Sequence, residues 1–423
     1  MVDQASRFPA LTPRLVSRIV KKTAETVRDR YIFPDDAKAM SDLLLAKLEE
    51  GAFRDPGTVA DLAGILTAAL HSVKPDLHLV AVPWLPPDKG GGSDGAMDAW
   101  TRRLPRHNYE FRKLEVLLGN IGYVDLRGFA SAALGGPTAA AAMQFLAHTD
   151  ALVFDLRDNG GGDDLVGFLM SFLFDKPTHV HTAKYRDHDE QNWTYAYVPG
   201  PRFSDRPVYV VISRSTFSAG EDFAYNLQQL GRVTVIGEQT RGGAHPVEFY
   251  RFPELYLELM VPNAYSENPK SLSNWETCGV TPDIVVPADE ALDVAHRMAL
   301  ERLVAEATDE DTRRYREWAL ETLRLRARHC APEPKTLAGC VGSFGSSVEV
   351  AMWGDTLTMS WGGRRAHVLA PLAKNRFEFD HGTQRVTFSM QRGTAKSLVW
   401  RTEDGDEWRM TRKAEGGTQR SRK

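Results

Sequence analysis

The sequence predicts an α/β fold preceded by a helical N-terminal domain and followed by a small antiparallel β domain. Three observations carry that prediction. Apolar residues recur at helical spacing up to about residue 69. Short apolar runs then alternate with helical patterns between residues 121 and 237. After residue 333 the pattern becomes alternating strands joined by Gly, Asp and Asn turns.

The helical region comes first. Leu15, Ile19, Val20, Val27 and Tyr31 form one apolar stripe, and Ala37, Met40, Leu43, Leu44 and Leu48 a second, so residues 1–85 are expected as a helical domain. PWLPPDKGGGSDGA (83–96) then interrupts regular structure, because proline removes backbone donors and the glycine run adds freedom; residues 86–107 are expected as a loop or linker. Next come IGYVDL (121–126), ALVFDL (151–156), VYVVIS (208–213) and VTVIG (233–237), separated by the helical patterns AAAAMQFLAH and LVGFLMSFLF. Strand, crossover helix, strand is the signature of a mostly parallel sheet covered by helices, expected over 108–290. Chemistry belongs in the loops at the carboxyl ends of such strands. A charged helical connector is expected over 291–332, the antiparallel sheet or barrel over 333–415, and a disordered tail over 416–423.

Charge narrows the partners. The 52 basic and 56 acidic side chains nearly cancel, for a formal charge of −4, and no basic patch with interleaved aromatics occurs, so neither nucleic acid nor an anionic membrane is expected as a partner. The first residues hold no secretory apolar core, and a cytoplasmic location is the expectation, with a periplasmic or secreted one if a signal peptide has been removed. The three cysteines Cys278, Cys330 and Cys340 fit neither a disulfide framework nor metal-ligand spacing, and are expected as buried free thiols.

Ser218 follows an apolar strand and opens an amphipathic helix with Ala219, Phe223, Leu227 and Leu230 on its apolar face. A hydroxyl there lies near orphan helix N–H groups and the positive end of the dipole, which favours developing negative charge. Serine is also a common N-cap, and Glu221 three residues on completes a capping-box pattern. The turn DLRDNGGG supplies Gly160, Gly161 and Gly162, which allow close backbone approach and can aim N–H groups into a pocket; it is neither a dinucleotide nor a Walker motif. A serine nucleophile needs a base. No lysine lies between Ser218 and Lys270, and Arg241 stays protonated, which leaves His78 and His245. Glu238, Glu276 and Asp283 are candidates for the group that orients the base.

Taken together, KPDLHLV (74–80), IGYVDLRGF (121–129), VFDLRDNGGG (153–162), SRSTFSAGEDFA (213–224), VIGEQTRGGAHP (235–246) and NWETCGVTPDIVV (274–286) resemble, in order, the S41 family of tail-specific, or C-terminal processing, serine peptidases. The resemblance covers about residues 10–290 and implies a ClpP- and crotonase-like β/α spiral domain. It also implies Ser218 as nucleophile, with an oxyanion hole from Gly161 or Gly162 and the Ala219 N–H. One branch of the family places a lysine in a G-K-G turn after the nucleophile; here that turn reads TRGG. The sequence is similar instead to the tricorn-core and interphotoreceptor retinoid-binding branch, which implies His78 as base and Glu276 as its orienter. Leucines at 77 and 79 replace the small and hydroxyl neighbours usual around that histidine, and the interval 85–120 is too short for a PDZ domain. LAGCVGSFG and LAPLAKNRFEF resemble small β modules appended to bacterial serine-hydrolase-like proteins.

The expected activity is peptide-bond hydrolysis through an acyl-enzyme, on peptide or unfolded protein substrates, with no metal or organic cofactor. Arg241 and His245 are further candidates for substrate binding. The rival readings are a non-catalytic protein binding apolar ligands or peptides on the same fold, and a small-molecule esterase or amidase.

Overall fold

A computed structural model of the 423-residue chain describes residues 8–85, 96–328 and 331–414. Most of the expected glycine-rich loop, the C-terminal tail and Cys330 lie outside the described residues. The second half of the expected linker is ordered as helix Ala96–Arg103, which ends on Arg102 and Arg103, followed by a 3-10 segment, Leu104–Glu110. The chain divides into two compact units, Met1–Glu115 with Gly122–Leu292, and Val116–Ile121 with Asp293–Lys423.

In the first unit lie helices Pro13–Arg30, Pro34–Glu49 and Val59–His71; the first and third start at side-chain caps, and the second starts at a proline without one. Thr12 accepts from the Leu15 N–H ahead of Pro13, and Thr58 and Asp61 cap each other's backbone N–H groups. Their apolar faces do not form a core alone. Val16, Ile19, Met40 and Leu66 share one cluster with Leu257, Leu259 and Val261 of strand Leu257–Pro262. That strand pairs antiparallel with Val80–Pro83, Val80 opposite Met260, and on its other side with Val247–Phe252. The helices and the sheet behind them therefore fix where the chain leaves residue 78.

The main sheet runs Ile284–Val285, Thr234–Gly237, Val208–Ile212, Ala151–Asp155, Ile121–Leu126, Phe111–Leu117. The first four strands are parallel. Ala151–Asp155 and Val208–Ile212 are buried throughout, as mainly apolar parallel strands covered on both faces should be. Parallel strands deliver their carboxyl-end loops to one edge, which brings residues 156–162, 213–218 and 238–245 together. A third sheet, Tyr265–Glu267, His179–Lys184 and Asp189–Trp193, is antiparallel.

In the second unit, helices Ala291–Ala305 and Glu310–Arg326 precede eight antiparallel strands in sequential order, from Gly342–Phe344 to Glu407–Thr411. A bridge between Phe344 and Arg412 joins the two ends, so the meander closes into a small barrel around Phe344, Phe377 and Phe388. The His296 ring contacts the Leu118 carbonyl at 2.7 Å, which attaches segment 116–121 to this unit. Cys340 is buried, as expected; Cys278 is exposed, because it sits on the turn that follows Glu276.

Among the described residues no helix is long and apolar enough to cross a membrane.

Candidate active site

Ser218 lies between strand Val208–Ile212 and helix Ala219–Gln229 with φ 52° and ψ −119°. A positive φ in a non-glycine residue is strained by ~1–3 kcal/mol and persists only where the surroundings enforce it. The enforcement is visible. The Thr216 hydroxyl donates to the Leu156 carbonyl at 2.7 Å, and the Phe217 N–H donates to the Asn159 carbonyl at 3.0 Å. These bonds lash the 213–217 loop to the glycine turn of the neighbouring strand.

Glu221 supplies the rest. It is fully buried, and its carboxylate accepts the N–H groups of Ser218 at 2.9 Å, Gly242 at 2.7 Å and Gly243 at 3.0 Å, together with the Thr240 hydroxyl. Burial raises its pKa against the pull of those four donors. The capping-box pattern is thus realised, with Glu221 accepting the Ser218 N–H, and it leaves the Ser218 hydroxyl within reach of a further partner.

That hydroxyl is 3.1 Å from His78 Nε2. His78 precedes strand Val80–Pro83 and is 5% exposed. Its N–H donates to Asp76 Oδ1 at 3.0 Å, and its ring lies 4.8 Å from the Phe217 ring. The leucine at 79 that breaks the family pattern is buried among the N-terminal helices, and its carbonyl is 2.8 Å from His71 Nε2. Burial is the main reason the His78 pKa falls, from 6.5 to about 4; Asp76 opposes the fall, and His245 and Arg241 add to it. His78 is consequently neutral across the physiological range. Gly243 makes the approach sterically possible, since a Cβ there would lie 2.4 Å from the Phe217 ring and 2.9 Å from His78 Cε1.

Glu276 Oε2 accepts the Ala244 N–H at 2.6 Å, and burial raises the pKa of this carboxyl. Its Oε1 and the Nδ1 of His78 are both buried without a hydrogen-bond partner. One donor atom from each of Asp76, His78 and Glu276 lies within 4.8 Å of the others, a grouping that could hold a cation. The other expected orienters are engaged elsewhere. Asp283 accepts from the Val235 N–H and from Gln228, and Glu238 stands 3.8 Å from Arg214.

His245, the alternative base, pairs with Asp76 at 2.7 Å and lies 3.6 Å from Glu276, leaving Nε2 unpartnered. Asp76 also accepts from the Tyr31 hydroxyl at 3.1 Å. Burial pushes the Asp76 carboxyl up, yet its bonds and charge interaction with His245, with help from the His78 N–H, hold it below the usual range. This Asp76–His245–Tyr31 cluster was not assigned from the sequence, although Asp76 and His78 share one short motif. Arg241 is exposed and stacks over the Phe217 ring at 4.5 Å, and it does not line the cavity beside Ser218.

Of the glycine turn, Gly161 approaches Ser218 most closely: a Cβ there would lie 2.7 Å from Ser218 Cβ and 3.2 Å from the Ala219 nitrogen. The Gly161 N–H donates to Asn159 Oδ1 at 2.9 Å. Asn159 also donates to the Leu126 carbonyl at 3.0 Å, so this fully buried side chain pins the turn to the sheet. A cavity of about 510 Å³ opens beside Ser218, with His78, Gly162, Ala219, His245 and Trp275 in its wall.

Residues 120–286 match the family model described as Peptidase family S41. The chain is 29% identical over 191 residues to a carboxyl-terminal-processing protease of Picosynechococcus sp., covering 45% of each chain. It is 31% identical over 124 residues to the protease of the same description from Synechocystis sp., covering 29% of this chain and 28% of that one. It thus spans less than half the length of these curated relatives. Among solved structures, the tricorn protease aligns with a TM-score of 0.47 at 13% identity, over 67% of this chain and 36% of that one. The photosystem II D1 C-terminal processing protease aligns with a TM-score of 0.43 at 14% identity, over 66% and 94%.

Proposed function

The chain carries a peptidase family S41 domain over residues 120–286, and from that premise we propose that it hydrolyses peptide bonds through an acyl-enzyme. The single observation that carries the reading is the 3.1 Å approach of His78 Nε2 to Ser218 Oγ, between side chains 140 residues apart in sequence. In this mechanism neutral His78 takes the Ser218 proton as the hydroxyl attacks the scissile carbonyl, then returns it to the leaving amine. The oxyanion is held by the N–H of Ala219, at the positive end of helix Ala219–Gln229, and by the glycine turn. Gly162 is the glycine donor we assign, because the Gly161 N–H is given to Asn159.

Glu276 is assigned as the orienter. The free Glu276 Oε1 and the free His78 Nδ1 complement one another, and a small approach would pair them as the imidazolium forms. Catalytic hydrogen bonds commonly tighten only when substrate binds. Asp76 and His245 serve as positioning residues: Asp76 holds the His78 backbone and is itself fixed by His245.

The test combines a fluorophosphonate probe with an unstructured peptide library, comparing wild type with Ser218→Ala and His78→Ala. Labelling and cleavage that vanish in Ser218→Ala support the proposal. Labelling with ester turnover but no peptide cleavage replaces it with an esterase or amidase; neither labelling nor cleavage by the folded protein replaces it with a binding protein.

A further inference from the structure

The cavity beside Ser218 has a charge pattern that peptide hydrolysis alone does not explain. Its described lining contains three carboxylates, Asp163, Asp164 and Asp222, and no lysine or arginine. Asp163 and Asp164 are exposed. Asp222 is the deep one, its side chain 15% exposed. It accepts a hydrogen bond from Asn226 Nδ2 and stands 3.7 Å from His181 Nδ1, an atom buried without a hydrogen-bond partner. No described ion pair gives Asp222 an arginine or lysine. The walls between are apolar, from Val166, Met170, Val180 and Trp275, and Trp193 and Tyr195 are exposed members of the same lining, Trp193 at 52%. His245, 2% exposed, contributes a further unpartnered nitrogen, Nε2.

Asp222 lies in the first turn of the helix that Ser218 precedes, and both residues line the cavity. An apolar passage ending in a carboxylate matches a side chain with a methylene stem and a cationic head. Aromatic rings at the rim add favourable faces for the same cation. A substrate's carboxylate would meet like charge here and no cation.

Resting on the peptidase reading above, we propose that this cavity selects a lysine or arginine side chain of the substrate residue flanking the scissile bond, with Asp222 as its counter-ion. The buried carboxylate is destabilised in its charged form by desolvation, and an incoming cation relieves that penalty by pairing with it.

The test uses the full chain and internally quenched peptides that differ only in one residue flanking the cleaved bond, lysine or its neutral isostere norleucine, with cleavage sites read by mass spectrometry. Lysine is expected to be preferred by about tenfold or more in kcat/KM, and Asp222→Asn to erase the preference. A wild type that cleaves both equally, or an Asp222→Asn protein that keeps the preference, overturns the proposal. Should Asp222→Asn fail to fold, the wild type alone decides: benzamidine must protect Ser218 from fluorophosphonate at lower concentration than neutral benzamide, and equal protection overturns the proposal. Ser218-dependent peptide cleavage in the absence of any cationic preference refutes the pocket and leaves the peptidase reading standing, whereas absent labelling refutes the latter.

Discussion

Lowering the pH tests the protonation state of His78 directly. The displacement of the His78 pKa from 6.5 to about 4 corresponds to ~3 kcal/mol of preference for the neutral imidazole. At about pH 5.5 a histidine of the ordinary value would be roughly nine-tenths protonated, whereas His78 stays almost wholly neutral, so the reactive fraction differs about tenfold. The assay is the rate of Ser218 labelling by a fluorophosphonate in a buffer series from about pH 4 to pH 8, with kcat/KM for peptide cleavage alongside, since both report the free enzyme. The acid limb should have its midpoint near 4, well below the ordinary histidine range. Melting temperature is the wrong readout. As pH falls from 6.5 to about 4, the unfolded chain binds a proton that folded His78 refuses, so this group withdraws stability over that window. The raised carboxyls of Glu221, Asp222 and Glu276 act oppositely, because protonation relieves their burial penalty. A labelling midpoint near 6.5, or a labelling rate unchanged in His78→Ala, would refute the reasoning.

Further predictions concern the supports of the same site. Ser218→Ala should lower peptide cleavage by at least about 1,000-fold with an unaltered circular-dichroism spectrum, leaving only what binding and the oxyanion donors contribute. Glu221→Gln replaces a carboxylate that accepts from four donors; chemical denaturation should show a loss of ~2–4 kcal/mol, with slower labelling, and a loss under about 0.5 kcal/mol would mean the clamp is not needed. Gly243→Ala should slow labelling about tenfold or more, because its Cβ would overlap the Phe217 ring and crowd His78; wild-type rates in that variant would show that the ring moves aside freely.

The parts of this site that were legible in sequence are those written locally. A serine at a strand-to-helix junction and a glycine run after a buried strand are short-range patterns, and the strand–helix alternation of 121–237 is a period that survives in any context. The strands Asp189–Trp193 and Val247–Phe252 were not legible. DEQNW is an almost wholly exposed edge strand with no apolar alternation to announce it, and VEFYRF is only partly buried. Residue type alone did not choose the orienter, and Glu276 was named only by the family resemblance. Glu238, Glu276 and Asp283 are equivalent as letters, and only the observed partners remove Glu238 and Asp283 by engaging them elsewhere. The pairing of Asp76 with His245 spans 169 residues and has no local signature at all.

The leucine at 79 shows how a departure from the family pattern can be reconciled with the proposed site. A histidine placed by hydroxyl neighbours is held by polar contacts close at hand. Here Leu79 is anchored in the core that the N-terminal helices form with strand Leu257–Pro262, and Val80 begins the ladder to that strand. Two residues before the histidine, Asp76 holds the His78 N–H and is itself held by Tyr31 of the helical region and His245 of the 240–245 turn. The base is thus positioned from both sides by groups supplied from distant segments. Hydrophobic burial fixes depth, and the carboxylate fixes direction. Because Tyr31 belongs to the helical segment and His245 to the turn that Glu221 clamps onto the Ser218 backbone, Asp76 links the folding of the N-terminal helices to the alignment of nucleophile and base. In the mechanism proposed above the N-terminal helices would thereby support the alignment of His78 with Ser218, and loosening them should separate the two before the central sheet is disturbed.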